Sequence, residues 1–248
     1  MMRWRIQSIA LTILLVAAAG LARADGYQPR KAAAPPVMLQ VTNWTGFYAN
    51  GGLGYGFWHA PTTTELLDGR CFICDPQDHG GQGWLGEIGL GYDHQFTSRI
   101  VGGVFFNYDV SDMSAKVSDN VGFTGKTNDR STWFVGARAG WLMTPDILNY
   151  WGVGYTHTRF DGNDLNFVQG PPSGGGRGGY DGGGWFLSGG LEVAMHGGWF
   201  WRTEARYAEY NKRPLMETFN GDAILNLTME PSVQTVTSEI VYKFDWGH

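Results

Sequence analysis

The sequence predicts an all-β protein, an eight-stranded antiparallel transmembrane β-barrel with short periplasmic turns and long extracellular loops. Three observations lead there. Residues 43–60 alternate with period two: Phe47, Ala49, Leu53, Tyr55 and Phe57 share one face, and Tyr48, Asn50, Gly52, Gly54 and Gly56 the other. An apolar face backed by glycines suits the outside and the crowded inside of a narrow closed barrel, and an outward apolar face needs lipid. Further segments of the same period follow, joined by connections that alternate long and short. Finally, the chain holds 38 Gly, 11 Trp, 11 Tyr and 14 Phe, yet its mean hydropathy is −0.23. Strand-period membrane proteins combine these properties because apolar and polar residues average out.

The amino terminus comes first. Arg3 and Arg5, an apolar run over 9–19 and the Ala22-Arg23-Ala24 site predict a signal peptide over 1–24. Residues 25–42 read as a Pro/Ala-rich periplasmic linker, since Pro29, Pro35 and Pro36 disfavour regular structure. The barrel is expected over 43–244 and a periplasmic tail over 245–248. Cleavage after Ala24 would remove three of the 18 Lys+Arg and leave 15 against 23 Asp+Glu, a formal charge of −8. That acidity, without a basic patch, excludes a nucleic-acid partner.

Strands are expected at 43–60, 82–93, 100–109, 130–142, 148–160, 184–195, 199–210 and 232–244. Outward faces carry Trp84, Ile88, Leu90 and Tyr92 in the second, Val104, Phe106 and Tyr108 in the third, and Trp133, Val135 and Trp141 in the fourth. Trp151, Val153 and Tyr155 follow in the fifth, Trp185, Leu187 and Leu191 in the sixth, Trp201, Ala205 and Tyr207 in the seventh, and Val236, Ile240 and Tyr242 in the eighth. Phe105 fits this pattern poorly because parity turns it inward. Turns at 95–98, 144–146 and 196–198 are short; the polar segments 61–81, 110–129, 161–183 and 211–231 are long. Short turns face the periplasm in bacterial barrels, and Trp and Tyr gather near strand ends as interfacial girdles do.

The inward charges form the main candidate site: Glu87, Glu192, Glu204 and Glu239 against Arg138, Arg202, Arg206 and Lys243. Four acids balancing four bases meet the requirement that charges in a low-dielectric lumen be paired, so a structural plug is favoured over an ion-selective pore. A turn centred on Gly197 would set Glu192 opposite Arg202, Gly190 opposite Glu204 and Ser188 opposite Arg206.

Other candidates are weaker. Cys71 and Cys74 are the only cysteines, and a local disulfide is preferred over a redox pair or half a metal site in an exported chain. His59 and His157 stand near extracellular strand ends, where a lipid hydrolase could place its base, but the sequence marks no partner for either. The glycines around Arg177 do not open a helix after a strand, so no phosphate loop is read. No catalytic, cofactor or metal residues are assigned, and no cofactor is expected.

A resemblance rests on NWTGFY at 43–48 followed by spaced glycines, GWLGEIGLGY at 83–92, WFVGARAGW at 133–141, GWFLSGGLEVA at 184–194 and EIVYKF at 239–244. Together they resemble the small porin-like outer-membrane barrel proteins, also called outer-membrane immunogenic proteins, which share the opacity-protein-like eight-stranded fold. The resemblance implies outer-membrane localisation and a structural or surface-interaction role rather than an enzyme. Implied partners are outer-membrane lipid and lipopolysaccharide, the barrel insertion machinery and an unnamed extracellular ligand of the loops. A passive small-solute pore is the alternative, and a lipid-modifying enzyme comes third. Chains of this family end at the outward Phe of the last strand, whereas here four residues follow Phe244.

Overall fold

The computed structural model describes residues 42–118, 123–161, 163–167, 175–177, 179–219 and 222–244. The predicted signal peptide, all of the linker except Thr42, and the tail lie outside them. Twelve strands are present among the described residues: β1 (Gly46–Leu66), β2 (Cys71–Gln95), β3 (Ile100–Ser118), β4 (Phe123–Thr144), β5 (Ile147–Phe160), β6 (Asn163–Phe167), β7 (Gly175–Arg177), β8 (Tyr180–Ala194), β9 (Trp199–Tyr210), β10 (Arg213–Phe219), β11 (Asp222–Met229) and β12 (Ser232–Lys243). The antiparallel neighbours β1, β2, β3, β4, β5, β8, β9 and β12 form a ring, closed by the ladder from β12 to β1. Closure leaves no sheet edge in this part of the wall.

Register turns the twelve strands into eight. Glu192↔Arg202 in β8/β9 and Arg177↔Glu217 in β7/β10 share one residue sum, 394. Phe160↔Tyr180 and Asn163↔Arg177 share 340, and His59↔Ser232 and Thr62↔Met229 share 291. Hence β6, β7, β10 and β11 continue β5, β8, β9 and β12 above short interruptions. The connections expected as loops therefore carry much strand: β1 runs on to Leu66 and β2 starts at Cys71. Alternation persists there, with Thr62, His79, Met113, Leu215 and Met229 buried. Beyond the apolar zone the outward positions need not be apolar, so a polar stretch can still pair as strand.

The outer face carries Phe47, Leu53, Phe57, Trp84, Ile88, Leu90, Val104, Trp141, Trp151, Val153, Trp185 and Val236, all strongly exposed. Such a belt far exceeds what a water-soluble surface carries. Where a polar group falls on it, it is satisfied locally: Trp201 Nε1 donates to Ser238 Oγ at 2.9 Å. Inside, the wall is narrow enough that a Cβ on Gly52 would lie 2.3 Å from the Ser238 carbonyl oxygen. Phe105 does point inward, packing against Phe186 at 5.8 Å. The turn at Gly197 and Gly198, with φ of +67° and +83°, needs glycine at both positions.

Candidate functional site: the charged column in the lumen

The inward faces of β2, β3, β4, β8, β9 and β12 bring all eight predicted lumen charges together, and parity adds two more. Asp93 lies three inward steps beyond Glu87 on β2, and Asp109 sits directly opposite Glu87 on β3. The described column thus holds six acids against four bases, and the even balance does not hold. All ten residues are at most 5 % exposed. The alternation Glu87, Gly89, Gly91, Asp93 carried the missing signal for one. For Asp109 the clue was an inward Phe105.

Two clusters make up the column. Toward the short turns, Arg138 donates Nε to Asp93 at 2.9 Å and Nη1 to Glu192 at 2.8 Å. Arg202, opposite Glu192 in the ladder as a turn centred on Gly197 requires, donates Nε to the same carboxylate at 2.9 Å and reaches Glu239 at 3.4 Å. Lys243 donates to Asp93 at 2.6 Å and stands 3.5 Å from Glu192. The Arg138 guanidinium lies 4.9 Å from the ring centroids of both Tyr48 and Tyr150. Those rings were not anticipated, although Tyr48 occupies an inward position of the first strand.

Higher up, Arg206 donates to Glu87 at 2.8 Å and to Glu204 at 2.9 Å, with Asp109 at 3.6 Å. Tyr150 donates to Glu204 at 2.8 Å, and Asn107 donates to Glu87. Asn50 at 2.9 Å and Thr237 at 2.8 Å both donate to Glu239, and Tyr150, against Arg138 and bonded to Glu204, links the two clusters. Charge-assisted, multiply bonded pairs of this kind are the strong ones, and burial makes losing a partner costly.

Apolar side chains close both ends. Trp44, Val101, Leu142, Leu148, Phe200 and Val241 lie buried at the short-turn end. Phe105, Phe134 and Phe186 pack edge to face beside the upper charges, with the Arg206 guanidinium 4.0 Å from the Phe134 ring centroid, and Trp58, Phe160 and Tyr180 fill the lumen above them. The charged residues of the column bond chiefly to one another and to the polar and aromatic side chains between them.

The remaining candidates sit apart from it. Cys71 is disulfide-bonded beside the β1–β2 turn; the side chain of Cys74 is outside the described residues. His59 lies 3.2 Å from Asp78, and His157 lies 3.0 Å from Asp181 while stacking on Trp133, so each histidine has an acidic partner that the sequence did not mark. Ser232 is paired with His59 in the ladder, but its hydroxyl donates to the His59 backbone carbonyl at 3.3 Å. A nucleophile needs that hydroxyl on the imidazole. Arg177 lies within β7, not at a helix start.

Comparison with known proteins gives the family. The model described as "Outer membrane protein beta-barrel domain" matches residues 9–244. The chain belongs to this outer-membrane β-barrel family. It is 25% identical over 228 residues to the 31 kDa outer-membrane immunogenic protein of Brucella melitensis, covering 88% of this chain and 90% of the relative. The Brucella suis protein of the same description matches equally. Among solved structures, the outer membrane protein OprG of Pseudomonas aeruginosa superposes with a TM-score of 0.57 at 13% identity, covering 81% of this chain and 96% of that one. The outer membrane protease OmpT of Escherichia coli gives 0.51 at 10% identity, over 80% and 97%. At such identities these two speak for the fold alone. The protein is an outer-membrane barrel, and its exposed belt faces lipid.

Proposed function

We propose that this outer-membrane family member is a closed, non-conducting barrel whose role is structural and interactive: a rigid stave in the membrane that presents hairpin arms to the outside. One observation carries the reading. The ten charged residues of the lumen are each at most 5 % exposed and are bonded to one another, with apolar side chains at either end, which supports a lumen without the aqueous path a pore requires. The immunogenic relatives support exposed arms, since a protein described in that way meets antibodies. Lipopolysaccharide packed against the outer girdle, the insertion machinery and an extracellular ligand of the arms are the partners this role implies.

Conductance tests the reading. Refolded protein in planar bilayers is expected to give current at the level of the bare membrane, and sustained single-channel steps from the unmodified chain would favour the small-solute pore instead.

A further inference from the structure

Residues 42–45 precede β1 and join no ladder among the described residues, yet they are tied to two of the short turns and to the start of β9. Thr42 donates its hydroxyl to Asp146, and Trp44 Nε1 donates to the Pro145 carbonyl at 3.0 Å, both in the β4–β5 turn. Thr45 Oγ1 accepts from the Gln95 backbone N–H at 3.0 Å, at the β2–β3 turn. The Trp44 ring lies 5.0 Å from Phe200, just after the β8–β9 turn. Asn43 fixes the bend by accepting from the Thr45 N–H at 3.0 Å. Trp44 itself is 0% exposed. Behind it stands Lys243, which donates to the Trp44 carbonyl at 3.2 Å and holds its ammonium 4.9 Å from the ring. Lys243 is in turn bonded to Asp93, the lowest acid of the column.

We propose that residues 42–45 are a hinged periplasmic cover, with Trp44 as the cork, which decides whether water and small solutes from the periplasm reach Lys243, Asp93 and the ion pairs behind them. Gly46 is the hinge. Its φ of +149° is a conformation that favours glycine, and a Cβ there would come within 3.3 Å of the Phe244 carbonyl oxygen. The cover can leave without breaking a single ladder bond, because its ties are side-chain hydrogen bonds and one buried ring. Opening it hydrates the column from one side only, since Trp58, Phe160 and Tyr180 at the far end stay in place. The cover is also the point at which the chain enters the barrel, so whatever holds the preceding residues pulls directly on Trp44.

Amine labelling of the full chain in detergent micelles reads the cover directly. A small acylating reagent is applied and each lysine is followed by peptide mass spectrometry, with exposed Lys212 as internal standard. Lys243 is expected to resist in the native protein and to react at least tenfold faster in Trp44→Ala. Trp44→Phe, which keeps a ring but loses the bond to Pro145, should fall between. Asp146→Asn weakens the outer tie while leaving the cork, and should speed Lys243 measurably; it decides the matter should Trp44→Ala not fold. Native Lys243 reacting as fast as Lys212, or protection unchanged in the folded variants, overturns the proposal.

Discussion

Glu192 accepts from Arg138 and Arg202 and stands near Lys243, so it is the carboxylate on which the lower cluster converges. Removing it leaves three cations facing Asp93 and Glu239, whereas removing Arg202 leaves Glu192 its bond to Arg138. Glu192→Ala is therefore expected to cost about 3–5 kcal/mol of unfolding stability in detergent and Arg202→Ala less. The double variant should lose less than the two single losses added, with a coupling on the order of 1 kcal/mol or more. Urea titration of all four proteins measures this, and losses that add within error would mean that the two side chains do not interact. The inward serine of the same strand teaches a related point. Parity alone makes Ser188 a tolerant lumen position, but it is 2% exposed and directly opposite Arg206. Its hydroxyl crowds the place where a Gly152 Cβ would sit, at 2.6 Å. A guanidinium there would meet both a steric wall and a like charge.

Individual strands show why the outer and inner faces differ in legibility. Outward residues obey one rule, to be apolar toward lipid, and their period of two survives in the sequence from Phe47 to Phe57 and from Trp185 to Leu191. Inward residues obey a rule that depends on partners from other strands. Glu87 and Arg206 are 119 positions apart, and nothing local announces their bond. Parity alone could have placed Asp93 and Asp109 inward, but not their partners, and the Asp partners of His59 and His157 were hidden in the same way. The extracellular arms were hidden differently: without lipid outside them, their strands lack the apolar half of the pattern. Depth along a strand becomes testable from this. Leu191→Arg, on the outward face of β8 between Leu187 and Val193, should cost about 2–4 kcal/mol, and Asp112→Arg, outward on β3 just above Val110, about 0–1 kcal/mol. Equal losses in heat-modifiable gel migration and denaturant midpoint for the two variants would mean that the lipid boundary does not lie between those depths.

At the scale of the molecule, closure is the property that organises everything else, and it is made by the two ends of the barrel. The β1–β12 ladder runs from Tyr48↔Lys243 to His59↔Ser232, and below it the Phe244 N–H donates to the Phe47 carbonyl at 2.8 Å. Phe244 also faces outward and packs edge-on against Tyr242 at 5.2 Å. The family match ends at this same residue. The sequence announced closure through an even number of strands and the alternation of long and short connections, but not the cork, because the partners of Trp44, Pro145 and Lys243, lie 101 and 199 positions away. Residues 245–248 follow the last closing bond among the described residues. Deleting them is expected to leave barrel assembly intact: the truncated chain should show the same shift between boiled and unboiled gel mobility, the same surface accessibility in cells and a denaturant midpoint within error of the full chain. Since each closing hydrogen bond between β1 and β12 is retained, the only interactions removed are those the tail makes itself. Failure of the truncated chain to assemble would place part of the closing interaction in those four residues and move the end of the barrel beyond Phe244.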